Sequence, residues 1–329
     1  MTRKLIVTEE KWPIKGSFRI SRSNITEITV VKVSITENGF QGYGECRPYS
    51  RYNETPESVL RLIESVRTNI EKGVKNIELQ SLLPAGAARN AIDCALWDLE
   101  AKIQNKSISE LLKIPVAKPR KTAFTLSIDT PENIKKAAEK AVSFSILKIK
   151  INGFAGLEAC LAALKTRPDA KLIIDANESL DVKNIVKFLN ALKNSPVAMV
   201  EQPLPDKDYN LIPKHLNGLP VICADESLHT INDLNKLWNA GYRAVNIKLD
   251  KCGGLTAALK LMHAAKKKGF IIMNGCMVGT SLAMAPIMSL ECFADYIDLD
   301  GPLLLLKDRK PGMNYEKGII HPAERSLWG

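Results

Sequence analysis

From residue 120 onward, short apolar runs alternate with stretches whose apolar residues recur at helical spacing. The runs are TAFTLSI (122–128), ILKIKI (146–151), KLIIDA (171–176), VAMVEQP (197–203), PVICADE (220–226), AVNIKLD (244–250), GFIIMNG (269–275) and DYIDLDG (295–301). They read as strands buried on both faces, because they are nearly continuously apolar. LEACLAALK (157–165) and VKNIVKFLNALK (182–193) read as amphipathic helices between them. Eight strands with intervening helices predict an α/β (β/α)8-type barrel. An open doubly wound sheet would carry a G-x-G-x-x-G turn after its first strand, and none is found.

The first 110 residues follow a different pattern. TEITVVKVSITENGFQGYGE (26–45) alternates, with Asn38-Gly39 as a hairpin turn. TPESVLRLIESVRTNIEKG (55–73) and GAARNAIDCALWDLEAKIQ (86–104) read as helices. The first has a Thr-Pro start and Glu57 in its first turn. The expected organisation is an α+β domain over 1–115 and a barrel over 116–301. The stretch 302–329 is too irregular to supply a full eighth barrel helix and is expected to return to the N-terminal domain.

Composition narrows the class. Hydrophobic content is 45% and charged content 25%, as in globular proteins. No apolar run approaches the roughly 18 residues of a membrane span. The start MTRKLIVTEEKWPIKG lacks the apolar core of a secretory signal. Seven scattered cysteines form no C-x-x-C pair, and only four histidines are present. Zinc spacing is therefore absent, and reduced thiols in a bacterial-type cytoplasm are expected. The net charge of +10 comes without a basic stripe interleaved with aromatics, so nucleic acid is not an expected partner. A homo-oligomer is compatible with the chain.

The charged residues that interrupt the strands carry the chemistry. Asp175 ends KLIIDA, Glu201 ends VAMVE, Asp225 ends VICAD, and Lys248 sits in VNIKLD. One βα unit of about 25 residues separates each from the next, so each reaches the same height at the C-terminal mouth where barrel enzymes react. Three buried carboxylates converging there would repel one another. A divalent cation resolves this, and oxygen ligands suit octahedral Mg²⁺. The bland alternative is a salt bridge from each acid to a lysine, and it weakens when three acids stand in register.

Strand alternation puts Lys148 and Lys150 on one inward face. Lys248 lies four strands away, across the barrel. Ammonium groups on opposite sides of a substrate suit two-base proton transfer next to a carboxylate. The enediolate formed as the α-proton leaves would be stabilised by the metal. A free lysine is too basic for this near neutrality, and a like charge lowers its pKa. Lys148 would supply that charge to Lys150.

KIKIN, DANES, EQP, ADES and NIKLDKCGG resemble the enolase superfamily, in particular its muconate lactonizing subgroup. GYGECRPYSRYNE and PAGAARNAIDCALWDLEAK resemble the capping domain of its bacterial dipeptide epimerases, whose typical members act on L-Ala-D/L-Glu. The resemblance implies a capping domain over a modified (β/α)7β barrel. It implies one Mg²⁺ per subunit on Asp175, Glu201 and Asp225, with Lys150 and Lys248 as the acid/base pair and Lys148 tuning Lys150. It also implies a dipeptide substrate derived from murein.

Within the subgroup, IDLDGP selects the substrate. Asp298 and Asp300, a D-x-D on the eighth strand, would receive the dipeptide's α-ammonium. Muconate, o-succinylbenzoate and N-acylamino acid chemistries have no ammonium to offer. Arg22 and Arg19 in FRISRSN, and Arg51 in PYSRYNE, are the candidate partners for a glutamate side chain. Thr125 and Cys276 complete the candidate substrate contacts, although packing is the better reading of Cys276 as a thiol. A Schiff-base aldolase would leave the three acids unexplained, and a non-catalytic scaffold would leave the lysines on both faces unexplained.

Overall fold

Asn38 and Gly39 take positive φ, 53° and 81°, and reverse the chain between strands Ser23–Glu37 and Phe40–Cys46. Such turns match the twist of paired strands. The computed structural model describes residues 3–21, 23–213 and 218–329. A strand over Lys4–Ile20 pairs with Ser23–Glu37 and completes an antiparallel three-stranded sheet. The sequence does not announce this strand, because its register shifts between Pro13 and Phe18 and breaks the alternation.

Helix Ala87–Gln104 lies directly on this sheet. Gly42 and Gly44 make the approach possible. A Cβ on Gly44 would sit 2.0 Å from the Ala91 carbonyl oxygen, and one on Gly42 would sit 2.2 Å from that of Ala95. Val31, Val33, Ile35, Ile63, Ile92 and Leu99 fill the core between sheet and helices. The helical run 55–73 is not continuous. It breaks at Val66 (φ −110°, ψ 6°) into Pro56–Ser65 and Arg67–Glu71.

Eight parallel strands follow in sequence order: Phe124–Leu126, Ile146–Lys150, Lys171–Asp175, Val197–Glu201, Val221–Ala224, Ala244–Ile247, Ile271–Gly275 and Tyr296–Asp298. A parallel bridge between Thr122 and Ile297 brings the eighth strand beside the first, and the Ala123 N–H donates to the Ile297 carbonyl at 2.8 Å. The fold is an α/β barrel of the modified (β/α)7β type with an α+β capping domain, since the eighth strand is followed only by the short helix Gly301–Leu304. Helices Leu157–Thr166 and Ile185–Ala191 occupy two predicted positions, the second shorter than its apolar pattern suggests.

The barrel interior is layered. Ala123, Ile146, Ile173, Met199, Cys223, Ala244 and Met273 form an apolar plug near the strand starts. Two residues further along each strand, on the same inward face, stand Thr125, Lys148, Asp175, Glu201, Asp225, Asn246 and Gly275. The change from apolar to polar within one strand repeat sets the floor of the site.

Residues after Leu304 return to the N-terminal domain in two places, on either side of Tyr315–Glu316 and Ile319–Ile320, which pair with Arg120–Lys121 ahead of the first barrel strand. Leu306 N–H donates to the Pro13 carbonyl at 2.8 Å, and Trp328 Nε1 donates to the Cys94 carbonyl at 3.1 Å. Arg309 binds Glu10 and Glu45, each at 2.6 Å. No helix among the described residues is long and apolar enough to cross a membrane.

Candidate active site

Lys148 is the centre of the acid cluster. Its Nζ lies 2.7 Å from Glu201 Oε2, 2.7 Å from Asp298 Oδ2 and 3.1 Å from Asp175 Oδ2. Burial opposes its charge, but Asp298, Glu201, Asp175 and Asp225 outweigh that and hold its pKa well above the usual lysine value. Lys150 Nζ donates to Asp175 Oδ2 at 2.5 Å and to Asn177 Oδ1 at 3.3 Å. One carboxylate oxygen therefore stands between the two ammonium groups. Lys148 and Lys150 are thus joined through Asp175.

Four strands away, Lys248 lines the opposite side of the cavity, and Lys251, outside the lining, shares its acid. Lys248 follows the sixth strand by one residue, at the start of the short helix Leu249–Cys252, and its Nζ donates to Asp225 Oδ2 at 2.7 Å. Lys251, three residues on, holds Asp225 Oδ1 at 2.5 Å and the Asn246 carbonyl at 3.1 Å. Lys251 is not among the residues expected at the site from the sequence. Its signal is the i, i+3 spacing inside NIKLDKCGG, which returns its side chain to the Lys248 side. Asp225 itself lies just beyond the fifth strand, with its N–H donating to Gln202 Oε1 at 2.9 Å.

Asp298 ends the eighth strand, but Asp300 does not lie on it. Asp300 adopts φ −85°, ψ 6° and precedes the helix Gly301–Leu304. Both carboxylates still line one cavity with Lys148, Lys150, Lys248, Thr125 and Cys276. Thr125 contributes its backbone N–H, which donates to Asp300 Oδ2 at 2.6 Å. Burial, with Asp298 beside it, raises the Asp300 pKa to about 7. Asp298 Oδ1 is buried and has no hydrogen-bond partner among the described residues.

The cap covers this mouth with Phe18, Ile25, Arg47, Tyr49 and Tyr52. The arginines expected from the sequence are placed otherwise. Arg51 makes a bidentate pair with Glu178, at 2.9 and 2.7 Å, and reaches Asp206 Oδ1 at 3.1 Å. It ties the cap to the loops after the third and fourth strands and does not line the cavity. Arg19 is exposed and also outside the lining. Arg22 lies outside the described residues. Among the described residues, Arg47, which no sequence motif singles out, is the arginine that lines the cavity.

Among the described residues, no three acidic, histidine or cysteine side chains are placed to hold one ion as they stand. The lysine ammonium groups separate them. The donor chemistry nevertheless fits a hard divalent cation. Asp175 and Glu201 are register partners on adjacent strands, and Glu201 Oε2 is buried without a partner in hydrogen-bond geometry. Burial, with Asp175 adding like charge, pushes Glu201 up to about 8. Asp175 and Asp225 are held below the carboxylate range: burial works against their charge, and the lysines overcome it. The cluster can use more positive charge than the lysines give it.

Comparison with known proteins bears on the same regions. Residues 2–113 match the family model for the mandelate racemase / muconate lactonizing enzyme N-terminal domain, and residues 132–324 match the enolase C-terminal domain-like model. An L-Ala-D/L-Glu epimerase of Escherichia coli (strain K12) is 42% identical over 321 residues, covering 97% of this chain and 99% of its own length. An N-acetyl-D-glutamate racemase of a Pseudoalteromonas species is 41% identical over 302 residues, covering 91% and 95%. A solved enolase family member from Agrobacterium tumefaciens, described as having homology to dipeptide epimerases, holds sodium and L-Ala-L-Glu. It superposes with a TM-score of 0.94 at 42% identity, covering 99% of this chain and 100% of that one. With both of its domains matched in chain order, this protein belongs to the mandelate racemase/muconate lactonizing enzyme family of the enolase superfamily.

Proposed function

We propose that this protein is a Mg²⁺-dependent dipeptide epimerase that inverts the α-carbon of the C-terminal residue, with L-Ala-D/L-Glu as its substrate pair. The observation that carries the reading is the placement of Lys150 and Lys248. They stand on opposite walls of one cavity, and Asp298 and Asp300 line it with them. Lys150 Nζ takes the α-proton from one face, and Lys248 Nζ delivers a proton to the other. The direction reverses with the enantiomer. Lys148 keeps the buried acids from repelling one another and joins them to Asp298.

Asp298 Oδ1 lacks a donor, and an α-ammonium group provides one. Asp300, beside it, takes a second N–H. Mg²⁺, bound by Asp175, Glu201 and Asp225, would supply positive charge to the substrate carboxylate as the α-proton leaves. The cap side chains Phe18, Ile25, Tyr49 and Tyr52 keep water from the reacting carbon. The family resemblance makes murein peptides in the cytoplasm the natural source of such a dipeptide. The 42% identity to the Escherichia coli epimerase supports the substrate assignment.

Incubation with L-Ala-L-Glu and Mg²⁺ in deuterated water is expected to place deuterium on the Glu α-carbon and to produce L-Ala-D-Glu. Chelation of divalent ions should stop both. N-acetyl-glutamate, which has no ammonium for Asp298, is the control. Faster exchange on it than on any dipeptide would replace the epimerase reading with a racemase one.

A further inference from the structure

Arg47 directly follows the cap strand Phe40–Cys46 and lines the cavity with Tyr49, Lys248, Met277 and Val278. Its backbone is fixed, because its N–H donates at 3.1 Å to Asp250 Oδ1, which also accepts from Asn90 Nδ2 at 2.9 Å. Its guanidinium is not committed in the same way. Of its five N–H donors, one makes a long bond, Nη1 to the Val278 carbonyl at 3.4 Å. The group also lies 5.9 Å from the Tyr49 ring centroid. Among the described residues it has no ion-pair partner. Lys148, Lys150, Lys248 and Lys251 each have at least one.

A part-buried guanidinium with no carboxylate of the described residues within ion-pair distance is under-used: Asp250 acts on it only at longer range. Its planar fork matches a carboxylate. The substrate's α-carboxylate belongs with the cation that the acid cluster would hold, and its ammonium with Asp298 and Asp300. The remaining anionic group of an acidic dipeptide is its side-chain carboxylate, and the remaining unpaired cation of the described site is Arg47. We propose that Arg47 reads that side-chain carboxylate and sets the preference for an acidic C-terminal residue. This inference rests on the dipeptide reading above.

The test compares L-Ala-L-Glu with L-Ala-L-Gln, near-isosteres differing by one charge, using the full chain with Mg²⁺. Proton exchange gives kcat/KM and calorimetry gives Kd for wild type, R47M, R47K and R22M. Wild type should prefer Glu, and R47M should reduce the Glu-to-Gln ratio by about 10- to 100-fold, the size of a lost charged hydrogen bond. R47K should restore part of it, and it carries the comparison if R47M does not fold. A ratio unchanged by R47M, or lost only in R22M, overturns the proposal. Equal losses on both dipeptides would mark a packing role against Tyr49 and also overturn it. If no dipeptide exchanges, the epimerase reading fails, and the binding data still decide on Arg47. A Glu preference in Kd that R47M removes supports the proposal, and the absence of such a preference overturns it.

Discussion

Lys148 Nζ donates to Asp298 Oδ2 at 2.7 Å, joining the second and eighth strands across the first. The residues that hold the acid cluster and those that would hold the substrate ammonium thus share one buried cation. Asp298→Asn leaves Lys148 its contacts to Glu201 and Asp175 but removes the charge offered to the ammonium. KM for free-amine dipeptides should rise by about 10- to 100-fold. Steady-state kinetics on L-Ala-L-Glu measure this, and an unchanged KM would refute the assignment of Asp298.

The proposed two-base transfer divides the proton steps between Lys150 and Lys248. Lys150→Ala and Lys248→Ala should each abolish net epimerisation, because inversion needs both. Each variant should keep deuterium exchange on at most one of L-Ala-L-Glu and L-Ala-D-Glu, and the retained substrate should differ between them. Full epimerase activity in either variant contradicts two-base transfer.

Arg51 ties the cap to the barrel through Glu178 and Asp206. It is part-exposed, so its loss should be modest. Arg51→Met is expected to raise KM about 3-fold, to the same extent for acidic and neutral dipeptides. A selective loss on L-Ala-L-Glu would instead make Arg51 a substrate contact.

The cap depends on a close strand–helix approach. Gly44→Ala would drive its methyl group into the Ala91 carbonyl and the Ala95 N–H, 2.0 and 2.9 Å away. Neither backbone atom can rotate aside, and the cost should be about 3 kcal/mol. Urea denaturation with an unchanged midpoint would show that the sheet and helix Ala87–Gln104 separate freely.

Asp250 should make stability fall with pH. Burial, with Glu54 and Glu45 adding like charge, raises its pKa from 3.8 to about 7 against the bonds from Arg47 and Asn90. Between these values the folded state keeps a proton that the unfolded chain releases. The resulting stabilisation is complete at low pH and is lost as pH rises to the folded value. Relative to Asp250→Asn, wild type should lose stability steadily from about pH 4 to 7, with the two curves parallel above that. Denaturation at a series of pH values measures this, and curves parallel throughout would exclude the buried carboxyl as the cause.

The sequence by itself determined the barrel and which charged residues stand at its mouth. Strand and helix periods record local backbone geometry, and the inward face of each strand follows from alternation. That places Lys148, Lys150, Asp175 and Glu201 at the mouth, with Asp225 and Lys248 one residue past their strands. Only the tertiary structure decided which charges meet. Lys148 reaches Asp298 at a separation of 150 residues. Arg51 turns to Glu178 instead of the cavity, while Arg47 faces the cavity. Long charged side chains can reach several partners, and the choice among them depends on distances between segments remote in the chain. The cap loops have no periodicity to report those distances. Their backbone is set by contacts with the barrel, such as the Arg47 N–H to Asp250 Oδ1 at 3.1 Å, and those contacts exist only in the folded molecule.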